Sequence, residues 1–168
     1  MYNGKSGIAI ILVLLNCIAF SSCVMDPEID TDLGLIIAVG DGSALPGTNN
    51  VPVSVTMDNA EPLKGIQMDI CDDGNHLTCT GCETTNRASG FDCGSNELSN
   101  GCVRIILYSL GGDLIDAGMG PIFSLNYDVA VDAPSMECVN LTPVETKASD
   151  ENNDPVDATT EAGEFCIN

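Results

Sequence analysis

The chain has 168 residues, with 25 acidic and 5 basic side chains and a formal net charge of −20. A surface of this charge repels phosphate backbones, so we expect no nucleic-acid partner; neutral glycans, cationic proteins and calcium ions remain. The length is sufficient for one domain with its own core. Because the sequence contains no Trp, Val, Ile and Leu must build that core.

The N-terminal segment resembles an export signal. Lys5 precedes an apolar run of about 13 residues over positions 8–20, whereas a membrane span needs roughly 20. We predict an apolar signal helix within residues 1–22, for which cleavage after Ala19-Phe20-Ser21 is one processing route. Two alternatives remain open. Phe20-Ser21-Ser22-Cys23 resembles a bacterial lipobox with Cys23 as the acylated N-terminus, or the whole segment is retained as a signal-anchor.

An acidic tether is predicted over residues 23–32, and strand patterns begin after it. Val51, Val53, Val55 and Met57 alternate with polar residues and Pro, which is the period of two expected of a half-buried strand. The other predicted strands cover residues 33–39, 65–70, 102–110 (a buried strand), 122–131, 137–142, 145–148 and 164–167. Because no helical periodicity follows the signal, we predict an all-β sandwich.

Nine cysteines indicate an oxidising compartment. Five of them lie between positions 71 and 102, where residues 72–101 form a polar, Gly-rich stretch that is too long for an unstapled loop. The candidates for disulfides are Cys71, Cys79, Cys82, Cys93, Cys102, Cys138 and Cys166, with Cys23 as either a lipid anchor or a further partner. Cleavage of the signal leaves eight cysteines and permits four disulfides. Acylation of Cys23 leaves seven, so that one stays unpaired.

Cys79 and Cys82 also have the C-x-x-C spacing of zinc knuckles and thioredoxin-like redox pairs. Cys71 and His76 would complete a zinc-binding set with them. A redox pair should open a helix, and no helix is predicted here. We therefore favour structural disulfides over zinc and redox chemistry. With a single His and no organised pair of nucleophile and base, we predict that the protein is not an enzyme.

Asp150, Asn152 and Asp154 have the ligand spacing of an EF-hand loop that ends at Glu161. Pro155 occupies the sixth position of that loop, where the sharp turn needs Gly. We favour a hairpin turn rich in Asp and Asn, with a calcium site of another geometry as the alternative. No other cofactor is expected. Asn140-Leu-Thr142 matches an N-glycosylation acceptor, which we expect to be incidental in a bacterial protein.

Several segments, taken in order, resemble cohesin domains. The opening strands are matched by Pro46-Gly47, by VPVSVTMDN at 51–59 and by KGIQMD at 64–69. The resemblance continues through residues 101–110, 118–129 and 149–156, and it covers roughly residues 33–168. It implies a jelly-roll β-sandwich of about nine strands, related to carbohydrate-binding modules. At 71–102 the sequence departs from the family, because a disulfide-stapled segment replaces the usual strand and loop.

The resemblance implies a non-catalytic exported module that docks a protein or attaches to a polysaccharide. We expect it to be extracellular or at the cell surface, where a lipid on the N-terminus would anchor it to a bacterial membrane. Most glycan modules stack sugars on aromatic rings. Because Tyr108 and Tyr127 are the only Tyr residues beyond the signal, a protein ligand is favoured. The alternative is a homo-oligomeric subunit of a surface filament, pilus or layer, built by strand addition.

Overall fold

Residues 34–168, the part of the chain that the computed structural model describes, form two β-sheets packed face to face. The predicted signal segment 1–22 and tether 23–32 lie outside the described residues. Within residues 34–168, no helix combines the length and the apolar composition needed to cross a membrane. The strands are β1 (Leu35–Val39), β2 (Gly42–Ala44), β3 (Val51–Asn59), β4 (Leu63–Asp72), β5 (Leu77–Thr84), β6 (Asp92–Glu97), β7 (Cys102–Tyr108), β8 (Gly118–Val129), β9 (Glu137–Asp150), β10 (Pro155–Val156), β11 (Ala158–Glu161) and β12 (Gly163–Ile167).

The two sheets have different widths. One has the strand order β11-β1-β3-β8-β5, and the other has the order β2-β12-β9-β4-β7-β6 with β10 paired to β9. Nine strands have five residues or more, and β2, β10 and β11 are shorter additions at the edges and the hairpin. The predicted all-β sandwich of about nine strands is confirmed.

Alternation along the central strands builds the core between the sheets. In β3, Val53, Val55 and Met57 are buried, and the polar residues between them face outward. Phe123 of β8 and Phe165 of β12 are the largest fully buried side chains. Each buried aliphatic side chain contributes about 1.5–3 kcal/mol relative to exposure. The aliphatic core that the composition predicted is therefore present, and it includes two fully buried Phe rings.

The stretch 72–101 is more regular than the sequence indicated. It contains β5, a short 3-10 helix (Asn86–Ala88) and β6. Strand β5 lies at the edge of the five-stranded sheet, and β6 lies at the edge of the other sheet. The prediction that a stapled segment replaces a strand here was wrong. In β6 every residue but Cys93 is exposed, so this strand is held by backbone pairing to β7 and carries almost no apolar pattern.

Three disulfides staple the sandwich. Cys71–Cys102 joins directly paired residues of β4 and β7, and Cys138–Cys166 does the same for β9 and β12. Cys82–Cys93 joins the edge strands β5 and β6, and therefore links the two sheets. On the chain-entropy estimate, closing loops of this length stabilises the fold by about 3–4 kcal/mol per bond. Among the cysteines of residues 34–168, Cys79 is the one outside these bonds, and it is half-buried.

Residues 137–142 and 145–148, predicted as two strands, form the single strand β9. The register of β9 against β4 shifts at this point: Val144 lies opposite Asp69, and Lys147 lies opposite Gln67. Glu145 lies within the shift and has a φ of +48°, in the left-handed region. The irregularity interrupts the alternation of β9, which is why the sequence pattern looked like two elements.

One end of the sandwich is tied together by Arg87 of the 3-10 helix. Its guanidinium donates hydrogen bonds to the carbonyl oxygens of Met57 (3.0 Å) and Asp116 (3.2 Å), and to Gly118. It also donates to the side-chain oxygen of Asn59, which is buried. The amide of Asn59 donates in turn to the backbone carbonyls of Glu61 and Asp116. This network connects β3 with the start of β8.

Candidate docking face

The outer surface of β7, β4 and β9 differs from the rest of the sandwich. In β7, Val103, Ile105 and Leu107 are buried, whereas Ile106 and Tyr108 are exposed by 42% and 40%. The prediction of a buried strand at 102–110 was therefore wrong for Ile106 and Tyr108, which face outward. We call the outward surface of these three strands the β4 face, and it comprises Gly65, Gln67, Asp69, Arg104, Ile106, Tyr108, Val144, Lys147 and Ser149.

Strand register arranges the β4 face in rows. One row runs from Tyr108 over Gly65 to Ser149. The next runs from Ile106 over Gln67 to Lys147, and the third runs from Arg104 over Asp69 to Val144. An apolar side chain therefore occurs in each row, beside polar or charged neighbours.

Gly65 opens a shallow groove in the β4 face. The groove has a volume of about 260 Å³ and is lined by Gln67, Ile106, Tyr108 and Lys147, among others. A Cβ atom at Gly65 would lie 3.4 Å from the carbonyl oxygen of Leu107. A larger residue there would fill the groove, so Gly65 is responsible for its depth.

An ion pair lies in the third row of the β4 face. Nε of Arg104 donates to Oδ1 of Asp69 at 2.7 Å, and a terminal nitrogen donates to Oδ2 at 2.8 Å. Asp69 is buried, and Arg104 is partly exposed above it. The hydrogen bonds from Arg104 hold the pKa of Asp69 below its ordinary value of 3.8. The same pair raises the pKa of Arg104, so both groups are charged over the physiological range.

This ion pair predicts a specific pH dependence of stability. A lowered carboxyl pKa stabilises the fold above about pH 4, and this contribution is lost as the pH falls through the lowered pKa. We expect Asp69→Asn to reduce the free energy of unfolding at pH 7 and to make progressively less difference toward pH 2. Urea unfolding of both proteins across this range measures it, with exposed Asp157→Asn as the control. A difference that is constant with pH would contradict the prediction.

The opposite outer surface, on the five-stranded sheet, is polar. Its outward residues on β3 and β8 include Ser54, Thr56, Ser124, Asn126 and Asp128. The other exposed large apolar residues of the described chain lie in loops or near the start of β8; they are Leu45, Leu110, Met119, Val131 and Met136. The β4 face is therefore the sheet surface on which exposed apolar side chains occur in adjacent rows.

The structure separates the residues of the predicted zinc set. Cys71 and Cys82 are bonded to Cys102 and Cys93, and Cys79 is not bonded to Cys82. The Cys79 thiol donates a weak hydrogen bond of 3.6 Å to the carbonyl oxygen of Gly81. Among the described residues, the one cluster with metal-ligand spacing is Cys138, Glu164 and Cys166, and its two sulfurs are bonded to each other. C-x-x-C chemistry thus has no geometric basis here.

Cys79 provides a direct test of the disulfide pairing. Burial raises the pKa of its thiol, so little thiolate is present at pH 8 and alkylation should be slow. We expect iodoacetamide to label Cys79 of the non-reduced chain mainly after addition of denaturant. The six bonded cysteines of the sandwich should be labelled only after reduction. Peptide mapping by mass spectrometry distinguishes the sites, and labelling of Cys82 or Cys93 before reduction would show that the pairing is wrong.

The residues of the predicted calcium site lie in the turn between β9 and β10. Oδ1 of Asp150 accepts hydrogen bonds of 2.8 Å from the backbone N–H groups of Asn152 and Asp154. The backbone N–H of Asp150 donates a further hydrogen bond to the carbonyl oxygen of Asp154, which closes the turn. This is the Asp-rich hairpin turn that the sequence favoured. Calcium binding at these residues stays a prediction.

Asn140 of the glycosylation motif is exposed on β9. Its side-chain amide donates to the carboxylate of Asp73 at 3.0 Å, and its backbone N–H donates to the same carboxylate at 2.9 Å. These bonds lower the pKa of Asp73. The pair connects the turn after β4 with β9 and has a structural role.

Sequence reasoning did not identify the members of the β4 face. Ile105, Ile106 and Leu107 are consecutive apolar residues, so the exposed one cannot be recognised from hydrophobicity. The few basic residues of the sequence could nevertheless have pointed to this face. Arg104 and Lys147 project from the outer face of two strands in an otherwise acidic chain.

Comparison with known proteins was made for the sequence and for the fold. No family model matches the chain, and no curated protein matches it. Solved structures do match. They include the sixth cohesin of scaffoldin B from Acetivibrio cellulolyticus in complex with a Cel5 dockerin, at 17% identity, TM-score 0.65, and coverage of 80% of this chain and 99% of that one.

Two further structures extend the range of organisms. A chain of a type I cohesin–dockerin complex from Clostridium thermocellum is 15% identical, with TM-score 0.67 and coverage of 80% and 99%. A non-cellulosomal cohesin from the archaeon Archaeoglobus fulgidus is 17% identical, with TM-score 0.66 and coverage of 80% and 91%. Residues 34–168 thus share the architecture of a known class of β-sandwich modules. The chain has the cohesin fold, as the order of its segments predicted.

Proposed function

We propose that this protein is a docking module that binds a protein partner of the dockerin type through the β4 face. The observation that carries the proposal is the exposure of Ile106, Tyr108 and Val144 in adjacent rows of one sheet. Exposed apolar groups that lie together on a rigid sheet, surrounded by polar residues, are typical of protein-binding surfaces. Two of the similar solved structures are cohesin complexes with dockerins, which supports this class of partner.

A polysaccharide ligand has less support. Tyr127 is buried against Phe165, with ring centroids 6.4 Å apart, so it cannot stack on a sugar. Tyr108 is then the one exposed Tyr among the described residues, and the chain has no Trp. A single exposed ring offers a small area for a sugar to stack on. We therefore assign the β4 face to a protein ligand and propose no catalytic activity.

We further propose that the module acts outside the cell. Three disulfides in a small sandwich support an oxidising compartment. Within residues 34–168 they leave Cys79 unbonded, so Cys23 is either its disulfide partner or the carrier of a lipid. Cleavage of the signal and acylation of Cys23 remain predictions. The intact mass of the exported protein, with and without reduction, reports both.

Binding of purified dockerins tests the proposed function. The full chain would be titrated by calorimetry with a panel of dockerins taken from the partners of the structurally similar cohesins. An interface of standard size gives dissociation constants in the micromolar to picomolar range, roughly, depending on its hot spots. We expect at least one dockerin to bind with one-to-one stoichiometry. Failure of every dockerin to bind, with the chain folded, would contradict the dockerin assignment.

The filament alternative is tested by the native mass of the exported protein. The Cys82–Cys93 bond holds the edge strands β5 and β6 to each other, which restricts strand addition on that side. A fixed monomer across a range of concentrations would exclude a filament subunit.

A further inference from the structure

We propose that the surface bound by the β4 face carries a carboxylate next to an apolar side chain. The carboxylate pairs with Lys147 and with the outer N–H groups of Arg104, and the apolar side chain occupies the groove above Gly65. This inference rests on the proposed docking function and specifies the chemistry of the partner. The net charge of −20 would by itself favour a cationic group of the partner at this surface, whereas we infer an anionic one.

The first argument is the distribution of basic residues. Residues 34–168 contain four of them, and three (Lys64, Arg104 and Lys147) lie on β4, β7 and β9. The fourth, Arg87, is committed to hydrogen bonds at one end of the sandwich. Positive charge available to a partner is therefore concentrated on the sheet that carries the β4 face.

The second argument is the orientation of Arg104. Asp69 accepts bonds from Nε and one terminal nitrogen of Arg104, so the guanidinium is fixed in a single plane. Within the described part of the chain Arg104 donates only to Asp69, which leaves three of its five N–H groups for a partner. Asp69 is buried beneath and cannot itself reach a ligand. Glu145 lies close enough to raise the pKa of Arg104, but it makes no hydrogen bond with Arg104.

The third argument is the groove beside these charges. Its floor at Gly65 and its walls at Ile106 and Tyr108 are apolar, and Gln67 and Lys147 close the polar side. A volume of about 260 Å³ fits one or two side chains and no extended ligand. An apolar anchor in this groove would bring a neighbouring carboxylate beside Lys147.

Long-range attraction by the net charge and short-range contacts with Lys147 and Arg104 favour opposite partners, and the distance over which each acts decides which one dominates. The net negative charge of the chain attracts cations from a distance, but salt screens charges beyond about 8 Å at physiological ionic strength. Contacts within the interface are shorter than this, so the local cations Lys147 and Arg104 determine which group is bound. The partner therefore presents a carboxylate beside an apolar side chain.

Selection from a phage-displayed library of random 16-residue peptides against the full chain tests this inference. A purely long-range attraction would select basic peptides, so the two expectations are opposite. We expect enrichment of peptides in which Asp or Glu is adjacent to a large apolar residue. Fluorescence anisotropy of a synthetic enriched peptide would then compare the wild type with Lys147→Glu. The matched control is Ser54→Glu/Asn126→Glu, which changes the charge by the same −2 on the opposite face.

We expect Lys147→Glu to weaken peptide binding about tenfold or more and the control to change it less than about twofold. Enrichment of basic peptides, no enrichment, or equal effects of both variants would overturn the inference. Dockerin binding separates the two proposals. If a dockerin binds and Lys147→Glu leaves its affinity unchanged or improves it, the docking function stands and the carboxylate does not. If acidic peptides bind the face and no dockerin does, the dockerin assignment alone fails.

Discussion

Replacing Ile106 with Glu is expected to weaken binding of a dockerin by at least about 30-fold, the effect of losing a binding hot spot. Ile106 lies in the middle row of the β4 face, between Gly94 of β6 and Gln67 of β4. Neither neighbour covers it, since Gly94 has no side chain and Ile106 is 42% exposed. In the complex, a carboxylate at this position would lose its water without gaining a partner.

Calorimetric titration of the variant against the dockerin bound by the wild type measures this effect. The control is Ser54→Glu, which adds the same charge at an exposed position on the opposite sheet. The free energy of unfolding of both variants should stay within about 0.5 kcal/mol of the wild type, as is usual for surface substitutions. Equal affinities of the two variants would show that the binding site is elsewhere on the molecule.

Replacing Arg87 with Met is expected to lower the free energy of unfolding by about 3 kcal/mol, the usual cost of leaving buried partners of a charged group unpaired. Arg87 donates to Asn59 and to carbonyl groups of β3 and of the start of β8. Asn59 is buried, so water cannot replace the lost donor. Met retains most of the aliphatic volume, and the effect therefore reports the hydrogen bonds.

Urea unfolding under non-reducing conditions measures the loss. Lys64→Met, which removes a half-buried cation that donates no hydrogen bond among the described residues, is the control and should cost less than about 1 kcal/mol. Arg87→Lys should fall between the two, because an ammonium group cannot reproduce the planar fork of the guanidinium. An Arg87→Met variant as stable as the control would show that the network is dispensable.

The elements that the sequence predicted well are those in which one face is buried. Val53, Val55 and Met57 alternate with outward residues, and burial of every second side chain is what produces this pattern. The edge strands β5 and β6 were missed for the same reason. They bury few side chains and are held by backbone hydrogen bonds, which leave no trace in residue type.

The β4 face required the register of the strands. Asp69 and Arg104 are 35 residues apart in the chain, and the pairing of β4 with β7 places them opposite each other. The bulge in β9 moves Val144 and Lys147 onto the same face in spite of their odd spacing. Neither relation can be recognised from hydrophobic periodicity, because both depend on which strands become neighbours.

By itself, the sequence predicted an acidic, disulfide-bonded β-sandwich, because composition, alternation and cysteine content are local properties. The tertiary structure decided which cysteines pair, with Cys82 bonded to Cys93 instead of Cys79. It also decided that Ile106 and Tyr108 are exposed beside the Asp69–Arg104 pair. The physical reason is that disulfides and binding surfaces depend on distances between strands, and these are set only when the two sheets assemble.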